Sequence, residues 1–187
     1  EVVKLRDHLE QVRRDAMTDA LTNLANRKAF DEQLQRMCDE AESDATPIGL
    51  ALIDIDHFKR FNDTWGHQTG DQVLRYVASV LGRIARAPRI AARYGGEEFA
   101  VIFPRETAGA VEAALNAARE EIASRSLRRR STNDDLGAVT ISVGFALRRS
   151  GEAASQFLER ADEALYASKR TGRNRVTNAE AVASAAA

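Results

Sequence analysis

Apolar and polar positions alternate along this chain with two different periods. Val2, Leu5, Leu9, Val12 and Ala16 recur at spacings of three and four. That pattern predicts a helix with an a/d seam and charged flanks, as in a short coiled coil. The coiled-coil or dimer-stalk reading is preferred; two heptads are few, and an amphipathic helix lying on its own domain is the alternative. Residues 18–26 are turn-rich, and a second helix follows to about residue 41. Pro47 opens the apolar run IGLALIDI, which reads as a buried central strand. A short helix is predicted over 58–65, then a loop, GHQTG, then a longer helix begun by Asp71 and stopped by Pro88. Residues 90–103 place two apolar runs around Gly95 and Gly96, a hairpin pattern. An alanine-rich helix is predicted over 107–126, and residues 127–138 carry no periodicity and read as an exposed loop. VTISVGFAL has strong strand propensity. Ser155 is placed to cap a last helix carrying Phe157, Ala161, Leu165 and Ser168, and residues 174–177 read as an edge strand.

Interleaved helices and strands with one hairpin predict an α/β chain of α+β type: a mixed, mostly antiparallel central sheet flanked by helices. The division expected is a helix over 1–17 (a possible stalk), one domain over 18–178, and a frayed, disordered alanine-rich tail over 179–187.

Composition adds exclusions. With 44% hydrophobic residues the chain has enough apolar mass for a core. Lys and Arg number 27 against 28 Asp and Glu, a net charge of −1, which removes a global electrostatic case for nucleic acid or anionic membrane. The run LRRRSTNDDLGA is followed at once by acids and has no interleaved aromatics, so it reads as a solvated loop. No apolar stretch reaches the ~20 residues of a membrane span, and no signal peptide is visible, so the default compartment is the cytoplasm. The lone Cys38 shares a helix face with Phe30, Leu34 and Ala41 and reads as core, and Trp65 reads as a core anchor. The chain starts at Glu1 rather than Met, which reads as a fragment of something longer.

Two places carry candidate chemistry. In LIDIDHFKRFND, Asp54 and Asp56 alternate with Ile55, so both carboxylates face one side of a strand end. In ARYGGEEFAVIFP, Glu97 and Glu98 follow two glycines, where an ordinary hairpin tip would take Asn, Asp, Ser or Lys. If the two places meet in space, a hard divalent cation with oxygen ligands resolves the charge; if they do not, both are unrelated acidic turns. Gly95 and Gly96 let a phosphate approach the backbone closely. Lys59, Lys169 and Arg173 are candidate phosphate neutralisers, the last two four apart at a helix end, where a cation also suits the helix dipole. His8, His57 and His67 make no zinc pattern, and no nucleophilic triad or Walker loop is present.

These residues stand within longer motifs. TDALTNLANRKAF, DIDHFKRFNDTWGHQTGDQVL, RYGGEEF, ISVGFA and ALYASKRTGRNRV occur in that order between residues 18 and 176. Together they make the chain resemble the GGDEF domains, bacterial diguanylate cyclases that condense two GTP into cyclic di-GMP, in a Glu variant of the signature. The resemblance implies that Asp54, Glu97 and the main-chain oxygen of Ile55 bind Mg²⁺ (or Mn²⁺), with Glu98 a further ligand. It implies that Asn62 and Asp71 read guanine, with Phe58 and His67 beside the nucleotide. Lys59, Lys169 and Arg173 would hold the triphosphate, under Gly95 and Gly96. Glu97 would also be the base assisting the 3′-hydroxyl. Two domains must face each other, so a homodimer is implied, together with an upstream sensory domain; nucleic acid and membrane are not expected partners of this segment. The chain departs from the family pattern twice. Asn23 stands where Gly is usual, and Arg86-Ala87-Pro88-Arg89 replaces the Arg-x-x-Asp of a product-inhibition site. A guanidinium offers no acceptor to guanine, so weakened feedback is expected. Two other readings are a catalytically dead relative that senses GTP or cyclic di-GMP, against which the intact acidic positions argue, and a plain dimerisation domain.

Overall fold

The computed structural model describes residues 1–186. Helix α1, Val2–Met17, stands apart from the rest: it buries no residue, and Val2, Leu5, Leu9 and Val12 are all at least half exposed. The alternative of a helix lying on its own domain is thereby removed. Asn23, where glycine was expected, adopts a φ of 62° in the turn that follows, a conformation asparagine tolerates better than other side chains.

Helix α2, Arg27–Asp44, is capped by the Asn26 side chain, which accepts from the Ala29 amide. It leads into β1, Ile48–Ile55, all eight residues of which are buried. Helices α3, Phe58–Trp65, and α4, His67–Ile84, meet at Gly66, whose φ of 88° makes the corner. The expected loop GHQTG is therefore reduced to that one glycine, and Asp71 lies inside α4 rather than at its start. Strands β2, Ile90–Arg93, and β3, Glu98–Pro104, form the hairpin. Helix α5, Ala108–Ser124, follows, capped by Thr107. The stretch read as a loop holds a small hairpin instead: β4, Leu127–Arg128, pairs with β5, Asp135–Gly137. Leu127 is buried and anchors it.

Strand β6, Ile141–Leu147, precedes α6, Ala154–Arg170, β7, Arg175–Asn178, and α7, Ala179–Ala186. The cap of α6 is Ala153, two residues before the Ser155 expected, with the Gln156 side chain accepting from the Ala153 amide. The tail read as disordered is helical through residue 186, because Ala179 is buried and Val182 packs on the α2–α6 core; residue 187 lies outside the described residues. Trp65 is only half-buried, not the core anchor its size suggested, since it closes α3 beside Gly66 at the surface.

The main sheet runs β2-β3-β1-β6-β7, antiparallel except for the β6–β7 pair at the edge. Both faces are covered. Ala51, Ile53, Ile55, Val101 and Phe145 pack with α4 and α5, while Leu50, Leu52, Ile102 and Ala146 pack with α2 and α6. That is the period-two pattern of a sheet buried on both sides. Helix α6 sits closely on β6: a Cβ at Gly144 would lie 1.9 Å from the Leu165 amide nitrogen. No helix among the described residues is long and apolar enough to cross a membrane.

Candidate active site at the ends of β1 and β3

Antiparallel pairing of β1 with β3 sets Asp54 directly opposite Glu98. Like charges at one register repel, and Glu97 adds a third carboxylate next to them. The Ile55 amide donates to the Glu97 carbonyl at 3.3 Å, which locks the start of β3 to the end of β1. The two acidic places noted in the sequence therefore meet.

Electrostatics records the crowding. Burial pushes the Glu97 carboxyl above the usual carboxylate range, and the Asp54 charge and a hydrogen bond shared with Asp54 push it further. Burial and Asp54 raise Glu98 likewise. Lys169, in the last turn of α6, opposes both shifts, and its Nζ donates to Asp54 Oδ2 at 2.5 Å. Among the described residues no three His, Cys, Asp or Glu side chains already form a metal cage. One oxygen of Asp54 is instead turned to the lysine. The donor set nonetheless suits a hard divalent cation, being three clustered carboxylates, two of them held toward protonation by burial and by the Asp54 charge.

Asp56 takes a different part from the one its alternation with Asp54 suggested. It is 7% exposed, and its carboxylate accepts from Thr140 Oγ1 at 2.7 Å, Ser142 Oγ at 2.6 Å and the Asn174 amide at 3.0 Å. Its oxygens are committed to joining β1, β6 and the turn before β7. Arg173 stands in that turn at a φ of 63°, with its guanidinium 4.0 Å from Asp56. It lies beyond the end of α6 rather than on the helix with Lys169, yet both cations reach the β1 terminus.

The residues expected to hold the base lie on α3 and α4. Phe58 is buried at the first position of α3, with Lys59 exposed beside it. Asn62 faces Gly70 of α4 so closely that a Cβ there would fall 1.8 Å from Asn62 Oδ1. That oxygen is buried and has no hydrogen-bond partner, an expensive state unless a ligand supplies a donor. His67 and Asp71 share one face of α4, four residues apart. Neither Gly95 nor Gly96 has a left-handed φ, so the turn itself does not require glycine. A side chain at Gly96 would project into open space, which leaves the backbone bare on the outside.

Sequence reasoning missed Arg93. Its guanidinium donates to the carbonyls of Gly95 at 3.2 Å and Gly96 at 2.9 Å, and pairs with Asp19 at 3.4 Å. Both residues lie within the quoted motifs, and that was the available signal. Arg89, expected as a free donor in an altered inhibitory site, is committed as well. It makes a two-pronged pair with Glu106 at 2.8 and 2.6 Å, donates to the Ile84 carbonyl and lies over the Phe103 ring. Arg86, three residues earlier, is exposed.

Residues 16–175 match the family model described as diguanylate cyclase, GGDEF domain. Diguanylate cyclase VdcA of Vibrio cholerae is 35% identical over 176 residues, covering 94% of this chain and 51% of that protein. Response regulator PleD of Caulobacter vibrioides is 38% identical over 173 residues, covering 92% and 38%. The chain thus spans about half, or less, of the length of these relatives. Among solved structures, the coiled coil and GGDEF domain of DgcB from Caulobacter crescentus, in complex with c-di-GMP, is 68% identical. It superposes with a TM-score of 0.93 over 95% of this chain and 93% of that one. An active GGEEF domain of a diguanylate cyclase from Vibrio cholerae is 27% identical, with a TM-score of 0.76 over 83% and 97%.

Proposed function

The chain belongs to the GGDEF family of diguanylate cyclase domains, and from that premise we propose that it joins two GTP into cyclic di-GMP, releasing two pyrophosphates. The observation that carries the proposal is the meeting of Asp54, Glu97 and Glu98 with Lys169 at the ends of β1 and β3.

A divalent cation, Mg²⁺ with Mn²⁺ as the alternative, would be held by Asp54, Glu97 and the main-chain oxygen of Ile55, with Glu98 as a further ligand. When bound, it offsets phosphate charge and favours the ionised nucleophile. The chain's own groups do the rest. Glu97 accepts the 3′-hydroxyl proton; that oxygen forms a bond to the α-phosphorus of the second GTP, and the bond to pyrophosphate breaks. The raised Glu97 carboxyl is a stronger base than an ordinary carboxylate. Lys59, Lys169 and Arg173 neutralise the triphosphate, and the open backbone at Gly96 admits it. Asp71 accepts from the N1 and N2 hydrogens of guanine, a pair of donors adenine lacks. Asn62, with its unpartnered Oδ1, shares that role, and Phe58 and His67 flank the nucleotide.

One domain holds one GTP, so two copies must face each other. The unburied a/d seam of α1 supplies a means to pair them. An upstream sensory domain would act through the same helix. Feedback through the Arg86–Arg89 turn is weak in this reading, because Arg89 is engaged by Glu106.

The test is incubation of the chain with GTP and Mg²⁺, with chromatography of the products. Cyclic di-GMP and pyrophosphate are expected, and no turnover at any protein concentration refutes the reading. Glu97→Gln should retain the fold and lose at least a hundredfold in turnover, since losing one preorganised charged group costs about 3–4 kcal/mol. Turnover within threefold of the parent chain removes Glu97 from the assigned role.

A further inference from the structure

The hairpin β4–β5 folds back over the outer face of α4 and encloses a cleft of about 550 Å³ with it. A second cleft of about 340 Å³ adjoins the first and shares Gln72, Arg75 and Arg130 with it. Five arginines line the pair: Arg75, Arg125, Arg128, Arg129 and Arg130. None has a carboxylate within 4 Å among the described residues, although acids slightly outnumber bases in the chain. The acids that follow the arginines in sequence make their hydrogen bonds within the hairpin region, although the Arg128 charge still helps to lower the Asp135 carboxyl. Asp135 accepts from Ser126 and the Gly137 amide, and Asp134 accepts from Thr132 within the hairpin turn.

The hairpin backbone that carries three of these arginines is tied to α4. Gln72 stitches the hairpin to α4: its Nε2 donates to the Arg128 carbonyl at 2.7 Å, and its Oε1 accepts from the Arg130 amide at 3.3 Å. Arg125 lies over the Tyr76 ring, 5.7 Å from its centroid. The Nε of Arg129 is buried without any acceptor, so a donor is aimed inward with nothing to receive it. Arg75, Arg125, Arg128 and Arg130 are solvent-exposed, and Arg128 also donates to the Asn133 carbonyl at 3.3 Å, so Arg129 is the one whose donor is turned inward.

From these observations we propose that the groove between α4 and the β4–β5 hairpin is a binding site for a small molecule bearing two or more phosphates. Guanidinium forks match phosphate oxygens in pairs. The combined volume lies in the range of small-ligand sites. Concavity favours a compact polyanion over a flat membrane surface or an extended duplex. The second cleft is lined by Asp71, so occupancy of the groove acts next to the residue assigned to the base. The binding claim itself does not rest on the cyclase reading.

Calorimetric titration of the 187-residue chain with inorganic tripolyphosphate, without metal and at low salt, tests it. Saturable binding is expected, weakened at least tenfold by Arg128→Glu with Arg130→Glu, and also by Arg75→Glu alone. The last change sits on α4 and leaves the hairpin sequence intact. Lys169→Ala, at the other site, should leave the arginine-dependent binding within twofold. Competition then separates two sources of the same chemistry. Displacement by GTP or cyclic di-GMP at lower concentration than free tripolyphosphate needs identifies a nucleotide, and the converse identifies a free oligophosphate; either supports the class. Absence of saturable binding overturns the proposal. So does binding that survives both sets of arginine changes, or that Lys169→Ala abolishes. Arginine-dependent binding to phosphatidylglycerol vesicles alone would overturn it too.

Discussion

Asp54 and Asp56 show how much one side chain's surroundings decide. Both end the same strand and are nearly equally buried. Asp56 is satisfied by two hydroxyls and an amide, whereas Asp54 faces two other acids and one lysine. Alternation could pair them but could not separate them, because Thr140, Ser142 and Asn174 lie more than 80 residues away in the chain. Base selectivity also belongs to this scale. In the proposed reading Asp71 accepts from two guanine donors, and Asp71→Ser would leave them unpaired in a closed site. The preference for GTP over ATP should fall by about tenfold or more in competition assays, and full retention would place base reading elsewhere. For the altered inhibitory turn, the expected product inhibition of the parent chain is weak. Restoring aspartate at Arg89 alone would set it against Glu106, whose partner it removes. The informative variant is Arg89→Asp with Glu106→Gln, for which added cyclic di-GMP should slow progress curves at lower concentration than for the parent. No change would mean the turn lacks more than that one contact.

Elements were legible where burial imposes a period and illegible where a single contact decides. IGLALIDI, the hairpin strands and α5 follow from apolar runs and caps. The start of α4 did not, because Gly66 turns the chain in one residue and Gly70 then packs closely on Asn62 and Phe58 of α3. The β4–β5 hairpin and α7 were likewise hidden, each held by one or two buried side chains. The junction of β6 with α6 shows a further device. Arg160 donates twice to Glu152, at 2.7 Å each, and once to the Leu147 carbonyl. Burial alone would raise the Glu152 carboxyl, but the Arg160 hydrogen bonds and the Arg149 amide outweigh it and hold it below the ordinary 4.5. A carboxylate lowered on folding lends stability that is whole above its unfolded value and is lost as pH falls through the folded one. Glu152→Gln should therefore lower Tm at pH 7, by on the order of 1–3 kcal/mol of stability, and flatten the acid side of a Tm–pH profile. An unchanged acid limb would mean other carboxylates set it.

Over the whole molecule, the five motifs that lie far apart in sequence converge at one end of the sheet, and this convergence was legible only through the family resemblance. Spacing alone left the acids either as a cation site or as two unrelated turns; the β1–β3 register makes them neighbours. The seam of α1 was legible as a pattern, and its lack of any contact that buries it is a property of the fold. Replacing Leu5 and Leu9 by Asp places charge in that seam. Sedimentation should shift toward monomer, and specific activity should fall and depend more steeply on protein concentration. If neither moves at low micromolar protein, α1 serves another purpose. Between that helix and the signature turn lies Arg93, with one face on Asp19, two residues past α1, and the other on the carbonyls of Gly95 and Gly96. The guanidinium is planar and its donors are fixed in a fork. One side chain thereby ties the segment just past α1 to the turn beside the acids, so the two are joined by a contact of a few ångströms although more than 70 residues separate them in the chain.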